Sequence, residues 1–198
     1  MAALFIPFGY PGYPEKEMGC HIDESKKYLD GLGIDFVSTN NVITLKDCDE
    51  AIRIAGQQNY DYVILLIATW IEAPNMLKVI SSGGLDNKPM LLWAHDNVYD
   101  PEEKAVIAFG SIAAAGVLRE TFEEFGYRFK FVIGNPGDVA LNRDIRAFDR
   151  AAHTARRLKD TRMGLFGYAS MGMYTGLGDH IKIKKLLGTE VVHVGQYS

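Results

Sequence analysis

The chain has 198 residues, 47% hydrophobic and 23% charged, with 21 Lys and Arg against 25 Asp and Glu for a formal net charge of −4. Such a length holds one full domain, or one domain and part of a second, and the composition excludes disordered and fibrous classes. Mild acidity without a Lys/Arg block argues against nucleic acid, no apolar run nears the ~18 residues of a membrane span, and Cys20 and Cys48 lack C-x-x-C spacing, which fits a reducing compartment.

Short apolar runs alternate with segments of helical spacing. The N-terminus has no basic segment ahead of an apolar run, so a cytoplasmic location is expected. Leu4–Phe8 reads as a first strand; Ile22, Tyr28, Leu29 and Leu32 mark a helix that Gly33 closes, and Ile34–Ser38 is a second strand. Asp47 suits the N-cap of a helix carrying Ala51, Ile52 and Ala55. Asp61–Ala68 follows, continuously apolar from Tyr62 as a central strand covered on both faces should be. Pro74 opens a helix through Met76, Leu77 and Ile80 that Gly83 and Gly84 end, and Pro89–Ala94 is a fourth strand. Ile112, Ala115, Leu118, Phe122 and Phe125 mark the next helix, Phe129–Ile133 a fifth strand, and a long helix runs on Leu141, Ile145, Phe148, Ala152, Ala155 and Leu158.

Five β/α units imply a doubly wound α/β domain of Rossmann or flavodoxin type, with a parallel sheet in the order 2-1-3-4-5 and ligands beyond the carboxyl ends of its strands. From Lys159 the pattern restarts: Met163–Gly167 as a strand, Gly178–Leu187 as a helix and Val191–Val194 as a strand. Two strands bury little core. Either these strands extend the first sheet or, as the long domain-crossing helix before them favours, residues 1–158 form one domain and residues 159–198 the βαβ start of a second, incomplete α/β domain. Apolar surface should then stand exposed at Val191–Val194 and on the helix containing Ile181 and Leu187.

Chemistry concentrates after strands. In Ala68-Thr69-Trp70-Ile71-Glu72-Ala73-Pro74, Trp70 can wall a sugar ring while Glu72 or Thr69 bonds its hydroxyls; equally, Trp70 can pack on the next helix and Glu72 favour its N-terminus. Leu91-Leu92-Trp93-Ala94-His95-Asp96-Asn97 ends at the same edge, where adjacent His95 and Asp96 point apart and suit a polar loop, either lining a cleft or simply solvated, better than one metal ion. Gly9-Tyr10-Pro11-Gly12-Tyr13-Pro14 stands where a phosphate loop would, but it has no Gly-rich fingerprint and its prolines remove amide donors; Tyr10 or Tyr13 either touches a ligand or packs the loop. The run Gly167–Gly176, with Met173 and Tyr174, can line a binding surface, although Met and Tyr there are more often packing residues. His21, His95, His153, His180 and His193 show no paired spacing, and Ser170 lacks a nucleophile elbow. Asp179 and His180 read as helix-start residues. No acid, base or metal constellation assembles.

These segments resemble the L-fucose isomerase and L-arabinose isomerase family. The resemblance runs through Ala68–Pro74, Lys88–Ala94, Gly110-Ser111 opening a helix, Phe129–Gly134, and Arg162–Tyr168 with Met171–Tyr174 and Gly188–Val192, in order and at similar intervals. It covers nearly the whole chain but only the N-terminal part of a family member, which typically runs more than twice as long. It implies aldose–ketose isomerisation through a metal-bound enediol, with a divalent ion, usually Mn2+, held by Glu, Asp and His residues that have no counterpart before Ser198. It also implies a homo-oligomer in which this first domain covers a neighbour's active site and helps recognise an aldose or ketose. Trp70 matches the family's position for that contact. The loop Gly9–Pro14 departs from the fucose enzyme, which has a basic residue there.

The expectation is an N-terminal substrate-recognition and assembly part of a sugar isomerase, inactive alone, with Trp70, Glu72, Trp93, Tyr10, Met173 and Tyr174 as substrate-binding residues and neither catalytic nor metal-binding ones. The rival is a stand-alone sugar-binding or assembly module of the same fold. A flavodoxin-like nucleotide protein is disfavoured by the prolines after strand one.

Overall fold

The computed structural model describes residues 2–102, 104–167 and 178–195. They divide into two compact units, Met1–Asp149 and Arg150–Ser198. In chain order the first contains β1 (Ala3–Phe8), α1 (Glu15–Gly31), β2 (Phe36–Ser38), α2 (Leu45–Gly56), β3 (Tyr62–Ile67), α3 (Ala73–Ser82) and β4 (Met90–Ala94). A hairpin of β5 (Val98–Asp100) and β6 (Ala105–Ile107) precedes α4 (Ser111–Glu124), β7 (Phe129–Ile133) and α5 (Val139–Lys159), within which the two units meet in sequence.

The sheet is five-stranded and parallel throughout, in the order β2-β1-β3-β4-β7, which is the order the β/α count implies. Every residue of β1, β3 and β4 is buried, so these strands need no polar face. Leu4, Ile6, Val63, Leu65 and Leu92 meet Ala51, Met76, Val79, Ala115 and Phe122 from α2, α3 and α4. The opposite face is covered by α1, where Tyr28 lies 6.2 Å from Trp93 between ring centres, and by α5, where Phe148 lies 5.5 Å from Tyr62.

One local expectation needs correction, and one element is additional to those expected. Asp47 is not the N-cap of α2 but its third residue: Thr44 caps, accepting from the Asp47 amide at 3.4 Å while the Asp47 carboxylate accepts from the Thr44 amide at 2.8 Å. The antiparallel β5–β6 pair was not anticipated, because its three-residue strands carry exposed apolar side chains without alternation.

In the second unit β8 (Arg162–Phe166) pairs in parallel with β9 (Glu190–Val194), with α6 (His180–Leu187) between them in sequence. Asp179 caps α6 by accepting from the Lys182 amide at 3.0 Å, and Gly188, at φ +77, ends it in the left-handed region. No residue of α6 is buried. Ile181, Leu187 and Val192 are exposed, as expected, whereas Val191 and Val194 are half-buried. Among the described residues no helix is long and apolar enough to cross a membrane.

Candidate functional site

The chain leaves β1 for β2 on one side and then builds β3, β4 and β7 on the other, so the loops beyond β1 and β3 part at the switch point. Hydrogen bonds tie these loops together. The Tyr10 amide donates to Thr69 Oγ1 at 3.0 Å, and that hydroxyl donates to the Trp70 carbonyl at 3.0 Å. The Trp70 amide donates to the Phe109 carbonyl at 2.6 Å, and Ser111 Oγ donates to the Ala68 carbonyl at 3.0 Å. Two glycines make the approach possible. A Cβ at Gly9 would collide with Met18 Sδ of α1. One at Gly110, which adopts φ +76 at the N-terminus of α4, would lie 2.9 Å from Tyr13 Oη and 3.0 Å from Trp70 Cβ.

An aromatic strip results. Tyr10 and Tyr13 meet edge-on at 6.5 Å between ring centres, Tyr13 stands 6.3 Å from Phe109, and Phe109 packs edge-on against His21 at 4.7 Å. His21 comes from the inner side of α1, beside buried Met18, Ile22 and Ser25. Behind it lies His95, just past β4 and 3% exposed. The two imidazoles face each other through their Nδ1 atoms at 3.2 Å, and His95 Nε2 is 2.8 Å from Ser25 Oγ. Burial, with the neighbouring His21 second, drives the His95 pKa down to about 3, so its ring is uncharged across the neutral range.

Four of the six expected residues fall among the described ones. Trp70, 37% exposed, and Glu72 line a groove of about 420 Å³ with Pro74 of α3 and Ala114, Val117 and Leu118 of α4. Glu72 is also the N-cap residue of α3, without a capping side-chain bond. Tyr10 is half-buried within the aromatic strip. Trp93 needs correction: it is wholly buried and its Nε1 donates to the Gly134 carbonyl at 2.9 Å, so it is a core side chain of β4 and no wall of an open site. Its position within the strand turns it toward α1, whereas Trp70 follows the strand's end. Met173 and Tyr174 lie outside the described residues.

The donors among the described residues do not fit a divalent metal. Among the described residues no three His, Cys, Asp or Glu side chains gather, and the His21 and His95 imidazoles spend their Nδ1 atoms on each other and His95 Nε2 on Ser25. Sequence reasoning missed Ser25, His21, His95 and Phe109 as one group. The available signal was His21 at helical spacing from Met18 and Ser25, which places an imidazole on the inner face of α1.

No protein-family model matches the chain. It is similar to sulfoquinovose isomerase of Priestia aryabhattai and of Priestia megaterium, at 17% identity over 186 residues in each case, or 93% of this chain. Among solved structures, a GDP-L-fucose synthetase from Naegleria fowleri is similar over 84% of this chain and 62% of its own, at 16% identity and a TM-score of 0.33. The chain spans 40% of the length of the curated isomerases it matches.

Proposed function

We propose that this chain is the substrate-recognition and assembly part of an aldose–ketose isomerase related to the L-fucose and L-arabinose enzymes. It presents the carboxyl edge of its sheet to a sugar held against a neighbouring subunit of a homo-oligomer. The observation that carries this reading is the likeness to sulfoquinovose isomerases along 186 residues, 93% of this chain. The site adds chemical support: a partly exposed indole beside a carboxylate, and a strip of Tyr, Phe and His rings, offer flat apolar faces for sugar C–H groups and polar edges for hydroxyls. Proton transfer between C1 and C2, and the Mn2+ that polarises the sugar oxygens, belong in this proposal to residues other than those described here.

The test is titration of the chain with sulfoquinovose, L-fucose and L-arabinose, followed by tryptophan fluorescence. The chain has two tryptophans, and Trp93 is sealed in the core, so a sugar-dependent change is expected from Trp70 and should vanish in Trp70→Phe. A flat response to all three sugars removes Trp70 from the site, and no heat of binding for any of them in calorimetry overturns the recognition role. Metal-dependent turnover of any aldose by the purified 198-residue chain would refute the assignment of catalysis to other residues.

A further inference from the structure

The hydrogen-bond chain Ser25–His95–His21 fixes which nitrogen of each imidazole carries a proton. Ser25 Oγ lies 2.8 Å from the carbonyl of His21, one helical turn back, and donates its only proton there. Toward His95 Nε2, 2.8 Å away, the same oxygen can therefore only accept, so His95 carries its proton on Nε2 and a lone pair on Nδ1. The 3.2 Å contact between the two Nδ1 atoms is then filled by one proton, that of His21. His95 stays uncharged in its buried position, which keeps this polarity in place.

His21 in its uncharged form is left with a lone pair on Nε2, across the ring from His95. No hydrogen bond to that atom occurs among the described residues. The ring is half-buried and lies against Phe109, whose other neighbours are Tyr13 and the Trp70 amide. We propose that His21 Nε2 is a hydrogen-bond acceptor for a hydroxyl group of a polyol bound at the carboxyl edge of the sheet, held in the accepting tautomer by His95 and Ser25. The inference rests on the sugar-recognition reading and adds to it a specific atom and a polarity. A lone pair on an uncharged ring repels an anion but accepts from a hydroxyl. The flanking rings offer apolar faces to the rest of the sugar.

Ring 1H–15N correlation spectra of the 15N-labelled chain test this without a variant. The free protein should show His95 protonated on Nε2 and His21 on Nδ1. Addition of sulfoquinovose, or of L-fucose, should move the His21 Nε2 resonance together with the Trp70 indole signal. A His21 ring protonated on Nε2 in the free, uncharged form overturns the proposal. So does a sugar that moves Trp70 and leaves His21 Nε2 in place, a result that spares the sugar reading. Movement of His21 without Trp70 supports the proposal and removes Trp70 from the site. Silence at both rings overturns both readings. His21→Phe keeps the ring packed on Phe109 and deletes the acceptor; binding should weaken about 5-fold, the worth of one ordinary hydrogen bond.

Discussion

Trp70 and Trp93 follow similar apolar runs and differ in what surrounds them. Trp93 belongs to β4, and its indole N–H is satisfied by the Gly134 carbonyl, so its size and its polar atom are both used inside the core. Trp93→Phe removes that bond and leaves a small void. A loss of about 1 to 3 kcal/mol is expected in urea unfolding, and an unchanged midpoint would contradict the packing described. Gly110 is a second position where one atom decides the outcome. Gly110→Ala places a Cβ at φ +76 between Tyr13 and Trp70, so it should destabilise by about 1 to 2 kcal/mol from backbone conformation alone. It should also abolish the sugar response at Trp70, as fluorescence titration would read. Trp70→Ala, by contrast, removes a partly exposed ring and should leave the unfolding midpoint within about 1 kcal/mol of wild type while weakening sugar binding. At this scale the sequence marked Trp70, Glu72 and Tyr10 by their place after strands. It was silent on the pairing of His21 with His95, 74 residues apart, because nothing local to either residue encodes a contact made only when α1 lies across β4.

Among the elements, α2 shows local chemistry at work. Burial pushes the Asp47 carboxyl up, but hydrogen bonds from Thr44 and Ile43 outweigh it and hold the pKa below its ordinary 3.8. Because the folded value is depressed, the stabilisation is fully present above the unfolded pKa and is lost as pH falls through the folded one. The midpoint difference between wild type and Asp47→Asn should therefore be largest near neutrality and shrink below about pH 4. Thr44→Ala removes the cap itself, at a cost of about 1 kcal/mol in chemical unfolding. The Pro and Gly signals around α3, and the continuous apolar run of β3, were legible because their causes are local. The β5–β6 hairpin was not, since Val98, Tyr99, Val106 and Ile107 are exposed and no buried face imposes a period of two.

Across the whole molecule the two units differ in how much they bury. The first encloses three wholly buried strands between helices, whereas the second pairs two strands with a helix that has no buried residue. Two-stranded pairing is marginal in water. Amides of β1, β3 and β4 should thus exchange with deuterium only through global unfolding, and those of β8 and β9 through faster local opening; equal protection in both sets would contradict this difference. What the sequence by itself determined was the alternation of the five sheet strands with their helices and the parallel sheet, though not the β5–β6 hairpin. Apolar period, caps and chain crossovers act over short separations and leave few topologies open. The tertiary structure alone decided which side chains share the sheet's carboxyl edge. Loops distant in sequence meet there only after the strands have paired, and burial then turns Trp93 inward, strips His95 of charge and sets His21 against Phe109.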